Sequence, residues 1–345
     1  MAAGCAGIAA EDTRTRTLGC GAAGPHGAAR HTTWRRPMTG SFALVFPGQG
    51  SQRPGMAEAW RGEAGSERWT EAGDVLGWDV ARLGFDADAD ELREPASCQI
   101  ALFVHGAALL DAWRAAGGPE PVAVAGHSLG EYNALLTADV LSFADALRLV
   151  DVRARATQDA ARRAPGTMVA CLGFEVATVE EACAEAGAYV ANDNAPGQIV
   201  AAGGEEALAR LRERLAEADP RGKVRDVEVG AAYHSPHVEA AVPVLREALD
   251  ATTFRDAHLP VIANVDAAPH TAAGDWPSLL ADQVRRPVRW RETVPALAAQ
   301  AAGAVVELGA SAVLTGLVKR TDRSLERHVV TTPQERDAVL QEVAA

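Results

Sequence analysis

Residues 121–138 read Pro-Val-Ala-Val-Ala-Gly-His-Ser-Leu-Gly-Glu-Tyr-Asn-Ala-Leu-Leu-Thr-Ala. A short apolar run, Pro121–Ala125, breaks at Gly126, and a helical pattern runs from about Leu129 to Ala138. Gly126-His127-Ser128-Leu129-Gly130 between them fits GxSxG. A strand that turns this tightly into a helix leaves no room for a Cβ at the flanking positions, hence the glycines. The serine then sits at a helix N-terminus, where the dipole and free N–H groups favour developing negative charge. A serine in a Gly-rich turn is otherwise an ordinary helix N-cap; the strand before and the helix after make Ser128 a candidate nucleophile.

Working outward, apolar runs alternate with longer helical segments. Phe42–Phe46 is a buried strand ended by Pro47-Gly48, and helical patterns follow at Ala57–Glu63, Ser66–Leu76 and Ser97–Ala116. Ser142 is an N-cap for a helix over Phe143–Ala164, which Pro165-Gly166 stops. This alternation predicts an α/β fold with a mainly parallel sheet. After Pro165 the order becomes strand (Met168–Phe174), helix (Ala177–Ala186), strands (Ala188–Asn192 and Gln198–Ala202), helix (Glu205–Ala218) and strand (Lys223–Val229). That βαββαβ order is ferredoxin-like and reads as an insertion. The larger fold resumes with helix His237–Ala251, strand Pro260–Asn264, helices Trp276–Val284 and near Thr293–Ala301, and strand Ala304–Leu308. The expected division is a catalytic α/β domain over 41–165 and 231–320, a small subdomain over 166–230, and a terminal strand and helix over 321–345. Residues 1–40 are expected to be a tail outside the fold: the first 37 carry five Arg against two acids and no periodic apolar pattern.

Of the 345 residues, 48% are apolar and 23% charged, the balance of a globular chain. Thirty-three Lys+Arg against 46 Asp+Glu give a net charge of −13, which argues against general nucleic-acid binding. No run of 18 apolar residues exists, so no membrane span is expected. The five cysteines, 5, 20, 98, 171 and 183, are odd in number and widely spaced, without CxxC. A disulfide framework or zinc site is therefore not expected, and a reducing cytoplasm fits.

A serine nucleophile needs a base. Of the nine histidines, two (26 and 31) lie in the tail, His105 lies within a helix, and His127 adjoins the serine, where neighbouring side chains diverge. Spacing leaves His234 and His237, in and just after the rigid loop Ala231-Ala-Tyr-His-Ser-Pro236, as the candidates.

Phe46-Pro-Gly-Gln-Gly-Ser-Gln52 and Gly126-His-Ser-Leu-Gly-Glu-Tyr132 together resemble the malonyl-CoA:acyl-carrier-protein transacylases of fatty-acid and polyketide synthesis. The resemblance continues in order through Leu147-Arg-Leu-Val-Asp-Val-Arg153, Asn192-Asp-Asn-Ala-Pro-Gly-Gln198, Tyr233-His234, Pro260-Val-Ile-Ala-Asn-Val-Asp266, Gln283, Glu307-Leu-Gly309 and Leu314-Thr-Gly-Leu317, about 41–320 in all. It implies an α/β-hydrolase-like core with a ferredoxin-like insertion. It implies Ser128 as the acylated nucleophile, His234 as its base, and Gln283 as the residue whose main-chain carbonyl orients the histidine. The backbone N–H groups of Gln49 and Leu129 would form the oxyanion hole, and Arg153 would hold the free carboxylate of the malonyl group, since a guanidinium presents a planar fork to it.

The implied activity is ping-pong transfer of malonyl from malonyl-CoA to the phosphopantetheine thiol of an acyl carrier protein, by a monomer without metal or cofactor. A family hydrolase acting on carrier-bound acyl groups, a methylmalonyl-preferring acyltransferase, and a non-catalytic carrier-binding module are the alternatives. Arg153 speaks against the hydrolase, and intact Ser128 and His234 against the binding module. Three positions depart from the family pattern: Thr157 replaces a frequent methionine, Tyr233 precedes the histidine in an unusual block, and Gly309-Ala-Ser311 replaces Gly-Pro-Gly. Arg285, Arg286, Arg289 and Arg291 are a candidate docking patch for an acidic carrier protein.

Overall fold

The structure, a computed structural model, describes residues 41–227 and 229–344, without the side chains of 343 and 344. The tail expected at 1–40, with Cys5, Cys20, His26 and His31, lies outside the described residues.

The strands are β1 (Phe42–Phe46), β2 (Ala123–Gly126), β3 (Thr167–Leu172), β4 (Tyr189–Ala195), β5 (Gln198–Gly203), β6 (Lys223–Val227), β7 (Val261–Ile262), β8 (Pro269–His270), β9 (Ala304–Leu308) and β10 (Glu326–Val330). The larger sheet runs β10-β9-β1-β2-β7-β8. It is parallel through β7, and only the short β7–β8 pair is antiparallel. Parallel strands are covered on both faces, and so β1 and β9 are apolar or buried at every position. Phe42, Leu44 and Phe46 face one helical layer, and Ala43 and Val45 face the other. The smaller sheet, β4-β5-β3-β6, is fully antiparallel, the order of a ferredoxin-like unit. The α/β class, the mainly parallel sheet and the inserted small sheet are thus as the sequence implies.

Helix Pro95–Ala115 is long and apolar enough, by length and composition, to cross a membrane, but 83% of its most apolar window is buried within the protein. It is a core helix, packed on Phe143–Arg163. Ser142 caps that second helix as expected, its hydroxyl accepting the Asp145 N–H at 3.1 Å.

Some elements differ from the reading. β4 extends beyond Asn192 to Ala195, because Asn192 and Asp193 continue to pair with β5 and are tied to Val288. The strand expected at Pro260–Asn264 shrinks to Val261–Ile262, freeing Asn264 for a tertiary role. The helix expected over His237–Ala251 splits into a 3-10 segment, Pro236–Ala241, and an α-helix, Val242–Asp250. Helix Leu314–Thr321 carries no local start signal in its sequence, which shows only a motif block at Leu314–Leu317. Its N-terminal signal is not local: Glu307 on β9, fully buried, accepts the N–H groups of Val313, Leu314 and Thr315 at 2.8–2.9 Å.

Candidate active site

Three parallel-strand ends converge on Ser128. β2 enters the elbow and helix Gly130–Thr137 leaves it. The glycines are required by contact. A Cβ on Gly126 would lie 1.9 Å from the Gly130 carbonyl carbon, and one on Gly130 would lie 2.1 Å from the Phe46 carbonyl oxygen. A Cβ on Gly48 would meet the His127 oxygen at 2.5 Å, so the loop after β1 and the elbow interlock. Ser128 is held at φ 51°, a left-handed conformation that aims its side chain out of the turn. His127 turns the other way, its Nε2 2.8 Å from Asn194 Oδ1 and its ring against Trp290.

The loop after β6 delivers His234, also at positive φ, 57°. Its Nε2 is 2.8 Å from Ser128 Oγ, and its Nδ1 is 2.7 Å from the main-chain oxygen of Gln283. The carbonyl can only accept, so Nδ1 carries the hydrogen and Nε2 is left to take the serine's proton. His237, the other histidine the spacing allowed, lies with its ring against Tyr189 and outside this cluster. Burial, then the charge of Arg153, pushes the pKa of His234 down to about 3.

Arg153, from helix Phe143–Arg163, is 1% exposed. Its Nη2 donates to Ser128 Oγ at 3.0 Å and to Gln283 Oε1 at 3.1 Å, and its Nη1 donates to Gln99 Oε1. Among the described residues no carboxylate pairs with it directly, and burial lowers its pKa. Thr157, one turn on, donates its hydroxyl to the Arg153 carbonyl at 2.8 Å. The Tyr233 hydroxyl is buried between the Gln49 and Thr157 side chains without a well-formed hydrogen bond.

A cleft of about 160 Å³ opens onto Ser128 and His234. Gln49, His127 and Tyr233 line it from the large sheet's side, and Met168, Asn194 and Val200 from the small sheet. Leu129, 1% exposed, begins the turn into helix Gly130–Thr137, where backbone N–H groups lack partners within the helix.

Ser128, His234, Arg153 and Gln283 therefore meet in one cluster, with Gln49 at the cleft wall. The four outer arginines do not form a bare cationic patch. Arg285 pairs with Asp282 and Glu239, Arg286 with Asp282, Arg289 with Glu292, and Arg291 with Asp193. Sequence reasoning missed Gln99, Glu131, Asn194 and Asn264. Glu131 and Asn264 stand inside quoted motif blocks, whereas Gln99 is hidden in an apolar helix.

A serine at a strand-to-helix turn, in hydrogen-bond contact with a histidine, is an arrangement suited to acyl chemistry. A sequence profile of the acyl transferase domain matches residues 43–341. The chain is 36% identical over 306 residues to malonyl CoA-acyl carrier protein transacylase of Escherichia coli strain K12, covering 87% of this chain and 99% of the relative. It is 35% identical over 307 residues to the transacylase of Bacillus subtilis, covering 87% and 96%. Among solved structures, the malonyl-CoA:acyl carrier protein transacylase of Xanthomonas oryzae superposes with a TM-score of 0.84 at 37% identity, covering 90% of this chain and all of that one. A malonyl-transacylase in complex with a type II polyketide synthase acyl-carrier protein gives 0.84 at 34% identity, covering 88% and 99%. The chain belongs to the acyl transferase family, within its malonyl CoA-acyl carrier protein transacylases.

Proposed function

We propose that the chain transfers a malonyl group from malonyl-CoA to the thiol of an acyl carrier protein, with Ser128 as nucleophile, His234 as base and Arg153 as reader of the free carboxylate. The observation that carries this reading is that one oxygen, Ser128 Oγ, lies 2.8 Å from His234 Nε2 and 3.0 Å from Arg153 Nη2.

His234 takes the hydroxyl proton as Oγ attacks the thioester carbon. The oxyanion is received by the N–H groups of Gln49 and Leu129, donors commonly worth about 10²–10³ in rate each. The intermediate collapses, the C–S bond breaks, and CoA leaves as a thiol with the proton His234 held. In the second half the carrier thiol gives its proton to His234, attacks the malonyl-serine ester, and restores the serine. The substrate carboxylate also acts on the base. Arg153 is one of the causes that hold His234 below its usual range. Pairing that guanidinium with a carboxylate cancels its charge and strengthens the base when substrate arrives.

A neutral acyl group would leave Arg153 buried without its counter-charge, which rejects acetyl groups and disfavours the hydrolase reading. Exposure of the enzyme to labelled malonyl-CoA, followed by intact-mass measurement, is expected to show one malonyl adduct that Ser128→Ala abolishes. Rapid hydrolysis without adduct would overturn the transferase reading. The carrier protein docks, on this proposal, at Arg285, Arg286, Arg289 and Arg291, its carboxylates exchanging with their internal partners. The enzyme acts, on this proposal, as a cytoplasmic monomer.

A further inference from the structure

Glu131 follows Ser128 by three residues and is 1% exposed, yet the reaction above does not use it. Every oxygen it has is engaged. Oε1 accepts the Asn264 backbone N–H at 2.8 Å and Asn264 Nδ2 at 3.2 Å, and Oε2 accepts Gln283 Nε2 at 2.8 Å. On one side Asn264 carries the connection to the elbow, its Oδ1 accepting the Ser128 N–H and its Nδ2 donating to the Gly126 carbonyl, both at 2.6 Å. On the other side stands the Gln283 amide. Its Nε2 faces two acceptors, Glu131 Oε2 and the Ser128 carbonyl at 2.7 Å, so its Oε1 is turned to Arg153 Nη2. Reversed, the amide would set oxygen against two acceptors and its NH₂ against the guanidinium.

We propose that Glu131 is a positioning residue for substrate selection: its carboxylate fixes the polarity of the Gln283 amide, and through it the direction in which Arg153 presents its fork. The inference rests on the reading of Arg153 as the carboxylate reader. Only an acceptor-only group satisfies both sides of Glu131. In Glu131→Gln the new NH₂ must meet a donor somewhere. The Asn264 backbone cannot turn, so the NH₂ goes to the Gln283 side. Gln283 then accepts it by reversing its amide, and its own NH₂ pushes Arg153 away.

A pure counter-charge role gives the opposite sign. Removing a buried anion near Arg153 would strengthen capture of a substrate carboxylate. The test compares kcat/KM for malonyl-CoA with the rate at which an uncharged fluorophosphonate labels Ser128, in wild type, Glu131→Gln, Glu131→Asp and Arg153→Ala, with Tm measured for each. In Glu131→Gln malonyl transfer is expected to fall at least about tenfold further than labelling. Glu131→Asp, which keeps the charge but is one methylene short, should shift the same ratio in the same direction, and it serves if the Gln variant does not fold. Parallel loss of both rates would reduce Glu131 to a scaffold residue and overturn the proposal, as would a lowered KM for malonyl-CoA. An unshifted ratio in Arg153→Ala would overturn the reading of Arg153 and this inference together, whereas a shift there without one at Glu131 sinks this inference alone.

Discussion

Two sets of arginines divide this molecule's positive charge between opposite situations. Arg285, Arg286, Arg289 and Arg291 are partly exposed, and each stands within 3.4 Å of a carboxylate. Arg153 is buried and meets only neutral oxygens, two amides and a hydroxyl. Exposed pairs of the first kind are typically worth about 0–1 kcal/mol, so they neither fix the fold nor leave a strong local field. A buried cation without a counter-ion is unfavourable unless something repays it. On the proposed function, a ligand carboxylate belongs where the protein sets none of its own in contact, since Glu131 reaches Arg153 only across Gln283.

The largest expected effect breaks the contrast at its buried end. Arg153→Met should lower kcat/KM for malonyl-CoA by about 10²–10³, the worth of two charge-assisted hydrogen bonds, while raising the share of acetyl transferred. Competition between the two thioesters, read by adduct mass, checks it; unchanged selectivity removes Arg153 from its role.

The second expectation follows from the reach of that charge. With the His234 pKa held at about 3, the rate of fluorophosphonate labelling should show no acid limb near the ordinary histidine range, and Arg153→Met should bring the limb upward. The sign carries to stability. A histidine whose folded pKa lies below its unfolded value of 6.5 contributes stability present above 6.5 and lost as pH falls toward about 3. His105, also pushed down to about 3 by burial, acts the same way. His105→Leu should therefore flatten the loss of urea midpoint between pH 6.5 and 5, by about 1–2 kcal/mol in unfolding free energy.

The smallest effect sharpens the exposed end. Arg285→Glu with Arg286→Glu should raise KM for the carrier protein a few-fold, reduce its salt dependence, and leave the malonyl-CoA half-reaction alone. Equal damage to both half-reactions would remove the docking role.

The fold was legible because its signals are local and repeated: continuous apolar runs for doubly covered strands, Ser142 at a cap, Pro-Gly at a stop. Ser128 and the loop that carries His234 were legible for the same reason, one from its glycines and the other from its proline. The choice of His234 over His237 was not, because three residues of spacing say nothing about which ring reaches a serine 106 residues away. Glu131, Asn264 and Gln99 escaped because their function is to satisfy donors and acceptors brought from other elements. The cap on helix Leu314–Thr321 escaped likewise, being supplied by Glu307 from a strand. The arginine run hides its partners in the same way: four like charges in sequence become five ion pairs in space.

The interlocked glycines have one more consequence. With Gly48, Gly126 and Gly130 in close backbone approach, the loop after β1 and the turn that carries Ser128 form a single block that no side-chain substitution can re-space. Diversification toward other acyl groups is thereby directed to the opposite wall, where Met168 and Val200 of the small sheet can change size without moving the atoms that make and break bonds.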